Sequence, residues 1–181
     1  ASFWRADLHG VQQWANIKAE TSGNFPGIVN HLVMDDNRAT LAGGWTHVRT
    51  FYNGTFSGDG SVVDTNSFGT NYFFTGQGTG AGSATFRPTV VVGGDYNVYQ
   101  WHVQRTDASA SVPFEISYNG GSTTVYANQQ THHGNWSLLG RFSFAPGTDG
   151  YVRVTDAVAE SGAVAESGAV ATVDGLKLTF V

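Results

Sequence analysis

From about Val29 to the carboxyl end, apolar and polar residues alternate with a period of two, the spacing of half-buried strands. In DYNVYQWHVQR, Tyr99, Trp101 and Val103 share one face, read as the core side, and Gln100, His102 and Gln104 share the other. Phe114, Ile116 and Tyr118 alternate with Glu115 and Ser117. Trp136, Leu138, Phe142 and Phe144 align across NWSLLGRFSF, and Leu176, Leu178 and Phe180 across LKLTFV. Turn signals (NGG, APGTDG, VVGGD) recur at short intervals. The pattern predicts an all-β fold, an antiparallel β-sandwich of jelly-roll type, over residues 28–181.

Residues 1–27 differ. Trp4, Leu8, Val11 and Ala15 have helical spacing, Gly10 weakens it, and alternation at Ala15, Ile17 and Ala19 also suits a strand. This segment is expected to be an N-terminal arm that packs on its own sandwich or on a neighbouring copy. One hexapeptide repeats in AVAESGAVAESGAVA, residues 157–171. Six is an even number, so Val158, Val164 and Val170 keep one pleat face if extended, whereas on a helix they would diverge. A small meander or a lengthened hairpin loop is expected there.

Composition narrows the class. Charged residues are only 13% of the chain, about half the usual share, while aromatics reach 13% and glycine numbers 24. That balance argues against disorder. A net charge of −5, with 9 Lys plus Arg and no basic run, leaves nothing to displace phosphate counterions, so nucleic acid is excluded as a partner. No apolar run reaches bilayer length. The chain has no cysteine, which removes disulfides and thiolate metal sites. The start at Ala1, with no signal-like segment, leads to the expectation of a processed bacterial product, secreted and extracellular or at the cell surface.

The succession GGWT (43–46), GTGAGSATFRPTV (78–90), GGDYNVYQW (93–101), NGGSTTVYANQQ (119–130), GNWSLLGRFSF (134–144) and VRVTDA (152–157) resembles the golvesin-like domain, also called the xanthan-lyase-type carbohydrate-binding domain. The resemblance runs from roughly Val33 to Val181. It implies a β-sandwich appended to secreted bacterial polysaccharide-active or cell-surface proteins, with sugar binding as its duty.

Reactive chemistry finds little support in the residues. There is no G-x-S-x-G elbow and no HExxH pair. A glycosidase needs two carboxylates across a cleft, whereas Asp35 and Asp36 diverge as strand neighbours and Glu115 stands alone. His132 and His133 are adjacent and point apart on a strand. No enzyme activity and no cofactor is expected, with structural calcium the one ion worth considering. DTNSFG (64–69) matches the first two ligand positions and the glycine of a calcium loop, but Phe68 and Thr75 fall where ligands belong. Asp35, Asp36, Asp64 and Asp174 are the calcium candidates.

Sugar binding asks for an apolar platform ringed by amides and hydroxyls. The stretch NGGSTTVYANQQTHHGNWSLLGRF offers Tyr126 as an exposed platform, with Gln129, Gln130, His132, His133 and Asn135 beside it. Tyr52, Asn71 and Tyr72 form a second patch, and Trp101 and Trp136 are read as packing residues. Two functions follow from this. The first is a noncatalytic module or adhesin that binds polysaccharide. The second is a structural subunit of an extracellular filament or surface layer, a homo-polymer joined by strand addition through residues 1–27.

Overall fold

The computed structural model of the chain describes residues 31–51, 54–56, 66–158 and 169–181. The expected arm (1–27), Tyr52, Asp64 and the middle of the hexapeptide repeat lie outside the described residues. In chain order the strands are β1 (His31–Asp35), β2 (Thr40–Ala42), β3 (Thr46–Phe51), β4 (Gly54–Phe56), β5 (Asn71–Gly76), β6 (Ser83–Phe86) and β7 (Gly94–Trp101). After them come β8 (Val112–Tyr118), β9 (Gly121–Ala127), β10 (Ser137–Phe144), β11 (Tyr151–Thr155), β12 (Val170–Val173) and β13 (Gly175–Phe180). A 3-10 turn, Asp36–Arg38, follows β1, with the Asp35 side chain accepting the Asp36 N–H at its start.

The strands form three antiparallel sheets, in the orders β1-β13-β7-β10, β2-β6-β11-β8-β9 and β12-β5-β3-β4. The first two pack face to face. Their shared core takes Leu32, Tyr96, Val98, Leu139, Phe144, Leu176 and Leu178 from one sheet. From the other it takes Ala84, Phe86, Val112, Phe114, Ile116, Val152 and Val154. The predicted sandwich is therefore the observed one, and the alternation in β8 and β13 maps onto it directly. Asp174 alone separates β12 from β13, so the third sheet continues from the first. That third sheet has a smaller cluster of Val48, Tyr72, Val103 and Phe74. Arg105 lies 4.0 Å over the Phe74 ring and donates to both oxygens of Asp107 and to the Tyr72 hydroxyl.

Two glycine-rich motifs acquire reasons. NGG closes the β8–β9 hairpin, because Tyr118 pairs with Gly121 and leaves the two-residue loop Asn119–Gly120. In GTGAG, the Asp156 carboxylate accepts the N–H groups of Gly80 and Gly82, and its backbone pairs with Gly78 and Gly82.

Two faces differ from the expectation. In β7 the inward residues are Tyr96, Val98 and Gln100, with His102 buried just beyond, so Tyr99 and Trp101 point outward. The polar Gln100 and His102 sit inside because they bond each other at 2.8 Å, and His102 also bonds the chain at Thr131. In β10 the register against β7 shifts between Leu138 and Gly140. That bulge reverses the parity: Leu138 points out, while Leu139 and Phe144 point in. Trp136 and Leu138 thus do not share a face with Phe144.

Candidate functional site

The turn after β9 is held from beneath by buried groups. The Gln129 amide donates to the Thr172 carbonyl (3.0 Å), and its Oε1 accepts the Thr172 N–H (2.9 Å) and hydroxyl (3.0 Å). Gln130 Nε2 donates to the Ala108 carbonyl. His102 Nε2 donates to the Thr131 carbonyl at 2.9 Å, which leaves Nδ1 as the acceptor of the Gln100 amide. Burial pushes this imidazole down to about 4, so it is neutral at pH 7. Gly134 N–H returns to the His102 carbonyl. Above these anchors, His132 takes a left-handed backbone (φ 60°) and is exposed. His133 meets the Asn66 amide at 3.4 Å, and Asn135 caps the His133 carbonyl.

The turn leads into an aromatic strip on the outer face of the first sheet. Phe68, Trp101 and Trp136 pack together with ring centroids 5.0–5.6 Å apart. The Trp101 indole N–H donates to the Asn66 carbonyl at 2.7 Å, which ties the strip to the turn. Phe68 and Trp136 lie over Gly175, where a Cβ would stand only 3.1 Å from each ring. Next in register, Val33, Lys177, Tyr99 and Leu138 form one row across all four strands. The Lys177 ammonium sits 4.6 Å from the Tyr99 ring centre and 4.7 Å from that of Trp136. Leu138 is 59% exposed, an unusual position for a leucine at the end of an aromatic row.

Polar groups rim this strip. The following row carries His31, Thr179, Asn97 and Arg141, with His31 bonded to Thr179 at 3.1 Å and Arg141 paired to Asp95. Burial, and secondarily the positive Lys177, lower the His31 imidazole, and burial lowers the Lys177 ammonium.

The sequence-derived residues divide sharply. His132, His133 and Asn135 lie on the turn beside the strip. Gln129 is 1% exposed, with its amide used inside the fold. Tyr126 is 61% exposed, but it stands on the outer face of the second sheet, the other side of the sandwich. Tyr72 is buried in the third sheet's cluster, and Asn71 is bound by its amide to both oxygens of Asp36 at 2.7 Å. Asp174 accepts the Phe68 N–H, which seats the start of the strip. Asp36 is buried, and burial together with the neighbouring Asp35 raises its carboxyl to about 7. Among the described residues no group of three His, Asp or Glu is placed to hold a metal ion. Glu115 is engaged by the Tyr151 hydroxyl and by Arg153.

Tyr99, Leu138 and Lys177 are the residues that sequence reasoning missed, and Trp101 and Trp136 those that it placed in the core. A signal existed. Asp95 and Asn97 against Tyr96 and Val98 already set the parity of β7, and carrying it forward turns Tyr99 and Trp101 outward.

These features define an antiparallel β-sandwich with an aromatic outer face. The chain belongs to the Golvesin C-terminal domain family, whose model matches residues 32–172. Xanthan lyase of Bacillus sp. (strain GL1) is 31% identical over 96 residues, which cover 51% of this chain and 10% of that protein. The structure of Paenibacillus xanthan lyase is similar with a TM-score of 0.59 and 30% identity, covering 83% of this chain and 13% of that one. The chain thus spans about a tenth of the length of xanthan lyase. A family 35 carbohydrate-binding module from Clostridium thermocellum shares the fold (TM-score 0.50, 18% identity, 82% of this chain and 98% of that one). So does the GH26-CBM35 β-(1,4)-mannanase of Podospora anserina (TM-score 0.51, 16% identity, 82% and 27%). No helix among the described residues is long and apolar enough to cross a membrane.

Proposed function

We propose that this chain is a noncatalytic β-sandwich that binds extracellular polysaccharide. Its binding face is the strip of Tyr99, Trp136 and Leu138, and the turn of His132, His133 and Asn135 forms the rim. The observation that carries the reading is Leu138, set outward by a bulge beside two aromatic rings at the edge of a sheet. Such an apolar row offers a surface for the C–H faces of sugar rings, and the amides and imidazoles beside it meet hydroxyls. The similarity to xanthan lyase supports xanthan as the first polymer to test.

Affinity electrophoresis through gels containing xanthan, other bacterial exopolysaccharides or plant polymers tests the reading. Trp136→Ala is expected to weaken retention about tenfold or more, and Thr124→Ala on the opposite outer face to leave it unchanged. Tyr126→Ala separates the two platforms. Loss at Tyr126 with no loss at Trp136 moves the site to the other sheet.

A second reading rests on β9. This seven-residue edge strand carries no charge, no proline and no lysine, the usual devices that blunt an edge. A neighbour's residues 1–27 added there would join copies head to tail. Removing residues 1–27 is expected to leave monomers, and polymers that persist reject this reading.

A further inference from the structure

We infer that the outer face of the first sheet selects an acidic polysaccharide, with Lys177 receiving the carboxylate of a uronic acid residue. The inference rests on the polysaccharide-binding reading above and names the ligand class of the same face.

Arg105, Arg141 and Arg153 each have a carboxylate partner, Asp107, Asp95 and Glu115. Lys177 has no ion pair and no hydrogen bond among the described residues. Its only partners there are two aromatic rings, which attract its charge but accept none of its three N–H bonds in a directed way. Arg38, Arg49 and Arg87 also lack a carboxylate among the described residues, but Arg38 lies on the 3-10 turn, Arg49 on β3 of the third sheet, and Arg87 on the other layer against Tyr151. The carboxylates on the flanking strands are engaged elsewhere: Asp35 of β1 accepts the Asp36 N–H, and Asp95 of β7 pairs with Arg141. A chain of net charge −5 therefore centres its aromatic face on a cation whose donors point at nothing anionic in the described fold.

Geometry then favours a sugar acid over a neutral sugar. Lys177, Tyr99 and Leu138 are register partners on three adjacent strands, and neighbouring strands lie about 4.8 Å apart, close to the width of a pyranose ring. A ring resting over Tyr99 and Leu138 with its C5 edge toward β13 brings the C5 substituent to Lys177. In a neutral hexose that substituent is a hydroxymethyl group, and in a uronic acid it is a carboxylate. The carboxylate forms a charge-assisted hydrogen bond in a setting already partly stripped of water. His31 and Arg141 in the next row add donors on the same side.

The test uses polygalacturonate, alginate and hyaluronate, each in native form and with its carboxyl groups chemically reduced to alcohols. Retention in affinity electrophoresis is measured for the whole chain at low and moderate salt. The wild type is expected to be retained about tenfold or more strongly by at least one native polymer than by its reduced form, and less at higher salt. Lys177→Gln is expected to abolish that preference and Lys177→Arg to keep it, with circular dichroism confirming that both variants fold. Equal retention by native and reduced polymers, or a preference that survives Lys177→Gln, overturns the inference and leaves polysaccharide binding standing. Retention by neutral glucans or mannans alone does the same. No retention by any polymer, charged or neutral, counts against both.

Discussion

Gln129 and Gln130 are neighbours of identical chemistry, and the fold uses them differently. Gln129 fills a buried position and satisfies three groups of Thr172, so Gln129→Ala strands a buried N–H and carbonyl. The expected cost is roughly 2–4 kcal/mol. Gln130→Ala, at an exposed site with one bond to Ala108, is expected to cost less than about 1 kcal/mol. Urea midpoints of the two variants check the contrast. A second pair, Asp36 and His102, acts on the pH dependence with opposite signs. The Asp36 carboxyl is raised to about 7, so its contribution is greatest in acid and is lost as pH rises toward and through 7. The His102 imidazole is lowered to about 4, so its contribution is present above about 6.5 and is lost as pH falls toward 4. Between pH 4 and 7 the two slopes oppose each other. Asp36→Asn is expected to unmask a fall in stability on acidification, and His102→Gln to unmask a rise, each on the order of 1–3 kcal/mol across that window. Urea titrations at pH 7.5, 5.5 and 4.5 read the slopes, and profiles parallel to the wild type contradict the assignment.

At the scale of the element, β10 decides what the surface offers. Gly140 has φ +155°, and a Cβ there would lie 2.9 Å from the Phe142 ring. Gly140→Ala is expected to cost roughly 1–3 kcal/mol and to weaken glycan retention, because the bulge that turns Leu138 outward is strained in the same step. Retention unchanged in a folded Gly140→Ala protein contradicts the role given to the bulge. The same strand shows why some of this molecule was legible and some was not. The alternation in β8 and β13 is regular, and it revealed the sandwich from the sequence alone. In β10 one extra residue reverses the parity after Leu138, and no period-two reading detects an inserted residue. In β7 both faces carry large or polar groups, because Gln100 and His102 are buried by bonding each other and the turn. Hydrophobicity alone then assigns Tyr99 and Trp101 to the wrong side. The turn itself was visible as a cluster of polar residues. Its division into buried anchors (Gln129, with His102 beneath) and exposed rim (His132, Asn135) depends on contacts with Thr172 and Asn66, far away in sequence.

At the scale of the whole molecule, the two layers carry different outer faces. The second sheet presents Thr40, Thr85, Thr124 and the Glu115–Arg153 pair in one hydroxyl-rich row, with an exposed Tyr126 and Arg87 over Tyr151 on the same face. The first presents aromatic rings, an outward leucine and a lysine with no carboxylate partner among the described residues. The packed rings beside an outward leucine suit the first face to grip a polymer. The most direct measurement is a 1H–15N NMR titration of the chain with fragments of the best-retained polysaccharide, following the backbone amides and the tryptophan indole N–H signals. The account expects the largest shifts at Tyr99, Trp101, Trp136, Leu138 and Lys177, with smaller ones at His133 and Asn135. Shifts gathered instead around Tyr126, Tyr151 and the outer face of β9, or no shifts with any retained glycan, would contradict it.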